Sequence, residues 1–386
     1  MDFFERTVYA PEHEQFRAAF RSWLDKEVVP NHERWEKAGI APRELWRSAG
    51  DLGFLGYHVP EQYGGGGVDD YKFGAVMQEE VSDTGVIGSI NGMTLHNDIV
   101  LPYYLSLAND EQKARWLPKM VTGEYIGAIA ITEPNTGSDM AGVRTTAVKK
   151  GGAYVVNGAK TFISNGINSD LVLTVCRTDP EAGHRGFSIL VLERGMKGFE
   201  RGRNLDKLGM HAQDTAELFF DNVEVPEENV LGEPGMGFMY LTTNLAQERF
   251  GMAIGAVAVA KAALRWTIEY TRERKAFGQS ISGFQNTKFV LAELHSEVQM
   301  ASAYVDRCLD LHCEGKLTVE QAAAAKFLTT ELQNKVVDRC LQLHGGYGYM
   351  TEYPIARAWA DSRIQTIYGG TSEIMKEIVG RAIAKG

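Results

Sequence analysis

Along the first 125 residues apolar positions recur every three or four places. Phe16, Phe20, Trp23, Leu24 and Val28 make one such stripe, the mark of an amphipathic helix. Pro30 should end or kink that helix. The run Gly64 to Gly67 reads as a loop, more a flexible connection than a functional element. Near Tyr125 the texture changes. YIGAIAIT, AYVVNGAKTFIS, DLVLTVCRT, GFSILVLER and AELFFDNVEVP are short runs of branched and aromatic residues. Gly, Asn and Asp separate them, which predicts strands with frequent turns. This stretch closes near Glu233-Pro234-Gly235. From Phe238 the helical pattern returns over Tyr240 to Arg274, Phe284 to Glu314 and Thr318 to Leu343, followed by two shorter helices. Long helices with short links imply an antiparallel bundle. The prediction is an α+β chain: an N-terminal helical domain (1–125), a middle β-barrel or sandwich domain (126–236) and a C-terminal helix bundle (237–386).

Composition narrows the classes. The chain has 386 residues, 44% apolar and 23% charged, an ordinary globular mix. Its net charge of −10 argues against wholesale nucleic-acid binding. Cys176, Cys308, Cys313 and Cys340 have no zinc-type spacing, and the nine histidines show no ligand spacing, so no metal is expected. Reduced cysteines and an N-terminus without a signal pattern suggest a cytoplasmic protein. The apolar run Gly251 to Leu264 is too short to span a bilayer and contains Lys261, so no membrane insertion is expected. No Rossmann glycine motif, P-loop, H-E-x-x-H or G-x-S-x-G occurs.

Three places carry candidate chemistry. Two glycine pairs, Gly345–Gly346 and Gly369–Gly370, let backbone approach a large flat or phosphorylated ligand. The segment AITEPNTGSDMAG, Ala130 to Gly142, offers hydroxyls and amides that can grip phosphates, although an ordinary polar hairpin loop fits the pattern better. Leu241, Leu245, Glu248, Met252, Gly255 and Val259 share one helix face. A glutamate on such a stripe must be paired or have a raised pKa. On periodicity alone it is either a structural ion-pair partner or a proton-abstracting base. His344, beside a glycine pair, is equally readable as a packed residue or a ligand contact.

Together these pieces resemble the acyl-CoA dehydrogenase family over nearly the whole chain. ITEPNTGSDMAG and Q-x-x-G-G-x-G-Y-x-x-E, with Arg357 and Asp361 after it, carry the likeness. KTFISNG, ERKAFGQ and YGGTSEI support it in the same order. KLGMHAQDTAELFF, LQLHGGYGYM and EYPIA are most similar to the long-chain branch. That branch, like the isovaleryl-CoA branch, carries its base on a bundle helix, at the position of Glu248 here. Other branches carry it before the Gly-Thr pair, where this chain has Gly369.

The resemblance implies bound FAD. Ile129, Ala130, Ile131, Thr132, Gly137 and Ser138 should line the flavin and pyrophosphate. Phe162, Ile163 and Ser164 should lie against the isoalloxazine. Arg274, Phe284 and Gln285 should reach FAD from a partner subunit. Gln342, Gly345 and Gly346 should close over the pyrophosphate, with Thr371, Ser372 and Glu373 toward the adenosine end. Ser138, Arg249 and Gly370 should meet the acyl-CoA. Glu248 would take the α-proton, flavin N5 the β-hydride, and the Gly369 amide would stabilise the enolate oxygen, giving a trans-2-enoyl-CoA. Electrons would go to an electron-transfer flavoprotein, and the assembly would be a homotetramer. An oxidase-like relative, a dehydrogenase of carrier-tethered acyl groups and a non-catalytic flavin-binding protein are the alternatives. Ser82 to Val100 is about four residues longer than its long-chain counterpart, with Asn91, Asn97 and Asp98 adding polarity. That predicts a preference for medium, branched or functionalised acyl groups.

Overall fold

The structure is a computed structural model and describes residues 6–385. Seven helices come first: α1 (Pro11–Trp23), α2 (His32–Ala38), α3 (Arg43–Asp51), α4 (Lys72–Thr84), α5 (Ile87–Leu95), α6 (Leu101–Leu107) and α7 (Asp110–Val121). The α1 stripe runs on through a π turn, Leu24–Val28, and a 3-10 turn, Val29–Asn31, before α2 begins. Pro30 therefore marks a change of helix type. A second π turn, His96–Val100, joins α5 to α6. Asn109 and Gln112 form a reciprocal cap that starts α7.

Gly64–Gly67 is packed, contrary to the flexible reading. Gly66, Gly67 and Val68 donate backbone hydrogen bonds to Gly56, Val59 and Tyr57. A Cβ at Gly65 would stand 2.1 Å from the Val59 carbonyl oxygen. These glycines are there for close backbone approach.

One eight-stranded sheet follows: β1 (Gly127–Ala130), β2 (Thr146–Lys150), β3 (Ala153–Ser164), β4 (Leu171–Arg177), β5 (Phe187–Glu193), β6 (Phe199–Asn204), β7 (Thr215–Pro226) and β8 (Val230–Leu231). The order is β6-β7-β3-β2-β4-β5-β8, with β1 parallel to β4. Residues of both sheet ends, Leu190, Leu192, Leu218 and Val223 among them, share one enclosed core. The opposite face of β4 and β5 packs on α6, α7 and the start of the next helix. With both faces covered, these two strands need no polar alternation.

The last region is α8 (Gly237–Glu273), α9 (Gln285–Cys313), α10 (Val319–His344), α11 (Pro354–Ser362) and α12 (Ser372–Lys385). A small hairpin, β9 (Lys275–Ala276) with β10 (Gln279–Ser280), links α8 to α9. Thr318 and Gln321 cap α10 reciprocally. α8 packs against α4, α9, α10 and the sheet. Its length and hydropathy would allow a membrane span, but 67% of its most apolar window is buried in protein. Buried Ala253, Ala256, Ala260 and Ala263 keep its surface narrow, so neighbouring helices approach closely. It is the axis of the molecule.

The segment 131–145 is not a hairpin loop. It crosses from β1, which pairs with β4, to β2, which pairs with β3. Glu133 ties it down. Its two carboxylate oxygens accept from the backbone amides of Thr145 and Arg144, each at 2.8 Å. The fully buried Lys160 of β3 donates to Glu133 and to the Ile131 carbonyl, each at 2.9 Å. Burial alone would raise the Glu133 carboxyl; the Lys160 charge and the amide donors outweigh it and hold the group below its usual range. Removing one member of a buried pair strands the other charge. Lys160→Met should therefore lower stability by about 3 kcal/mol in a denaturant titration and loosen cofactor retention. An unchanged midpoint would mean the pair does not hold this segment.

Candidate active site

Glu248 sits about a third of the way along α8 on its buried face and is 8% exposed. Its neighbours one position and one turn later point at the same turn of chain. Met252 covers Gly369: a Cβ there would lie 2.2 Å from Met252 Cε and 2.5 Å from Sδ. Arg249 faces Gly370, whose Cβ would lie 3.9 Å from Nε and Nη2. Residues at i and i+4 share a helix face, so Glu248 and the Gly369–Gly370 turn flank one site. Both glycines are left-handed, at φ 61° and 98°, a conformation glycine adopts without steric cost.

The sequence reading missed Tyr103. Its hydroxyl, on α6, donates to Glu248 Oε1 at 3.1 Å, with both groups buried. Asn244, one turn before Glu248, faces the same hydroxyl. Burial pushes the Glu248 carboxyl up to about 7, while the Tyr103 hydrogen bond and the Arg249 charge pull it down. The carboxylate therefore has one hydroxyl donor and an adjacent cation, and no close salt bridge. The ion-pair reading of its stripe position is not what the geometry shows. Arg249 is buried with its Nε lacking a partner. A guanidinium N–H left unsatisfied beside an acid site is suited to a polar ligand group.

A second set of predicted residues gathers on the sheet. A register shift between Lys160 and Ile163 breaks the β3–β7 pairing, and the bulge re-aims the chain. Phe162 there has φ 60° and is 68% exposed. Ile163 turns the other way, into the sheet core, so its side chain cannot lie on a flavin ring. Ala130 is likewise in that core. The Thr161 amide donates to the Thr132 carbonyl at 2.9 Å, which sets Phe162 beside the Glu133-tied segment. Ile129, Ile131, Thr132 and Ser164 are half-buried, and Gly137 and Ser138 are exposed. An exposed aromatic face on a rigid strand, next to a loop of hydroxyls and amides, fits a flavin and its phosphates.

The remaining residues divide. Thr371, Ser372 and Glu373 open α12 directly after Gly370, so they stand with the base. Arg274, Phe284, Gln285, Gln342, Gly345 and Gly346 lie at the far end of the bundle. Along α8, Arg274 is about 39 Å beyond Glu248. There the Arg274 guanidinium stacks 5.4 Å above the Tyr347 ring. A Cβ at Gly345 or Gly346 would meet nothing within 4 Å, so this surface is open. His344 is a packing residue: it stacks on Tyr270 at 4.3 Å, and its Nδ1 lies 2.9 Å from the Cys340 carbonyl oxygen.

The polar residues expected to shape the acyl pocket have other partners. Asn97 binds the backbone of Phe54 and Gly56. Asn91 reaches Gln213 at 3.4 Å, and Asp98 accepts from Gln78 at 3.1 Å. All three side chains thus spend polar groups on contacts within the protein.

A buried carboxylate, a glycine turn facing it and an exposed aromatic shelf are features that a flavin-dependent oxidoreductase of activated acyl groups can use. Family models agree along the chain: acyl-CoA dehydrogenase N-terminal domain over residues 10–124, middle domain over 128–223 and C-terminal domain over 235–384. The chain is 46% identical to the long-chain specific acyl-CoA dehydrogenase of Sus scrofa, covering 98% of this chain and 88% of that one. An acyl-CoA dehydrogenase structure from Geobacillus kaustophilus superposes with TM-score 0.94 at 48% identity, covering 99% and 100% of the two chains. A glutaryl-CoA dehydrogenase from Mycobacterium smegmatis, solved with FADH2, gives TM-score 0.91 at 27% identity, covering 98% and 96%. The chain belongs to the acyl-CoA dehydrogenase family and is a FAD-dependent enzyme.

Only the ionised carboxylate can accept a proton. kcat/KM should therefore rise with pH through about 7 and level off above it. Tyr103→Phe removes a donor to the charged form, so the inflection should move upward. An unmoved inflection would show that the Tyr103 bond does not tune the site.

Proposed function

We propose that Glu248 is the base that removes the α-proton of an acyl-CoA thioester. The observation that carries this is a buried carboxylate with a raised pKa, held by Tyr103, one helical turn from the residue that covers Gly369. Gly369 has no side chain to serve instead. Its amide donates to the thioester oxygen as negative charge develops there. Arg249 orients the thioester side through its unpartnered Nε. FAD, when bound, supplies the two-electron oxidation that removes the β-hydrogen. Phe162, Thr132 and Ser138 would hold it within the chain, and the packed helices around α8 exclude water from the acid site.

Thr371, Ser372 and Glu373 complete the near side of the cofactor site. Arg274, Phe284, Gln285, Gln342, Gly345 and Gly346 complete that of a second copy, because the long bundle separates them from Glu248 in their own chain. Phe277, 95% exposed, and exposed Tyr349 lie at that same end, where a symmetric contact would cover them. A homotetramer and transfer of electrons to an electron-transfer flavoprotein follow from the family resemblance.

Glu248→Gln tests the central assignment. It keeps the shape and removes the basic oxygen. FAD content and thioester binding should persist, while anaerobic flavin bleaching slows by about 10²–10⁴-fold. Bleaching at the wild-type rate would place the base elsewhere. Arg274→Ala tests the shared cofactor site. FAD retention on dilution should weaken by about 1.5–3 kcal/mol, and full retention through gel filtration would remove Arg274 from it.

A further inference from the structure

Glu248 is not the only ionisable group sunk beneath the acid site. Ala322, Ala323, Lys326, Thr329, Thr330 and Gln333 form the buried face of α10, and Lys326 is 0% exposed. Its Nζ donates to the Gly370 carbonyl at 2.7 Å. That is slender compensation for an ammonium taken out of water. Its charged neighbours make matters worse and better in turn. Arg249 on α8 repels it, and Glu373 at the exposed start of α12 attracts it. Burial is the larger effect and, with Arg249, lowers the lysine to about 8. A methionine would fill this space without that cost.

The turn held by this bond is the one facing Glu248. Gly369 and Gly370 are consecutive left-handed residues between a 3-10 turn, Arg363–Thr366, and α12. Two adjacent glycines have wide conformational freedom, so a turn built from them holds its shape only under outside restraint. Met252 presses on it from the site side, and Met375 from below: a Cβ at Gly370 would lie 2.5 Å from Met375 Cε. Lys326 supplies the directional contact.

We propose that Lys326 is a positioning residue for the reaction, anchoring the Gly369–Gly370 turn from behind so that the Gly369 amide meets the thioester oxygen. This rests on the reading of Gly369 given under Proposed function. Lys326 touches neither substrate nor cofactor; it acts through the turn.

Three variants and five readouts test it. Lys326→Met removes the donor and the charge, Lys326→Gln keeps a neutral donor, and Lys326→Arg keeps both. In Lys326→Met, anaerobic flavin reduction should slow by about 10²-fold, the scale of a misplaced catalytic group. Affinity for acyl-CoA and FAD content should be nearly unchanged. The melting temperature should hold or rise, because a buried charge has gone. Lys326→Arg should recover part of the rate. A lysine with a merely structural role gives the opposite pattern: rate, FAD content and melting temperature fall together. That result, or a wild-type rate in Lys326→Met, overturns the proposal. Should Lys326→Met fail to accumulate, Lys326→Leu, which likewise removes both donor and charge, carries the same comparison. The carbonyl stretch of bound enoyl-CoA separates the two readings. No shift on binding to the wild-type enzyme removes the Gly369 donor itself. A shift in the wild type that persists in Lys326→Met removes only Lys326.

Discussion

One carboxylate must stay out of water, and much of the molecule is arranged to keep it so. A free glutamate titrates well below neutrality. At Glu248 the packing of α8 strips away the solvent that would hold the charge, and the carboxyl rises to about 7. Desolvation of this kind is collective. It needs α6 with Tyr103 on one side, α10 and the Gly369–Gly370 turn on another, and small residues along α8 so that these elements close up. The three-part architecture is a way of bringing helices from both ends of the chain around a single side chain.

The molecule uses buried charge in three different ways, and the difference is the number of partners. Lys160 and Glu133 are fully paired with each other and with backbone groups. That arrangement is rigid and holds the segment beside Phe162. Lys326 has one carbonyl and a repelling neighbour, so it holds a turn at a cost to stability. Glu248 has one hydroxyl donor, few enough for its proton to come and go. Satisfaction grades from structural to chemical with the number of partners.

The fold was legible because each region keeps one hydrophobic period for long stretches. The α8, α9 and α10 boundaries differ from the pattern by only a few residues. β2 and β6 carry mostly polar or small residues and were not read as strands. Glu248 stood out because a glutamate interrupts an apolar stripe. The same reasoning, applied to AAAAKFLTT, would have shown Lys326 on the buried face of α10. Tyr103 was harder: LPYYLSL reads simply as apolar, and only the rule that a buried tyrosine hydroxyl seeks a partner hints at its role. Asn91, Asn97 and Asp98 misled because polarity along a chain does not say which way a side chain points. Gly64–Gly67 misled because glycine serves flexibility and close packing equally well in sequence.

The contact between Met252 and Gly369 has a historical consequence. The two arrangements of base within the family differ by moving a carboxylate from the helix to the turn. Here any side chain at position 369 would first meet the methionine sulfur and methyl. Met252 is half-buried and would have to swing away or shrink before a carboxylate could enter. The move therefore needs two substitutions and a displaced methionine end, and either substitution taken alone leaves no base or a crowded turn. The order of substitutions is constrained as well as their identity. Met252 thus sets how much room a carboxylate at position 369 would have, and its own rearrangement becomes part of any such exchange.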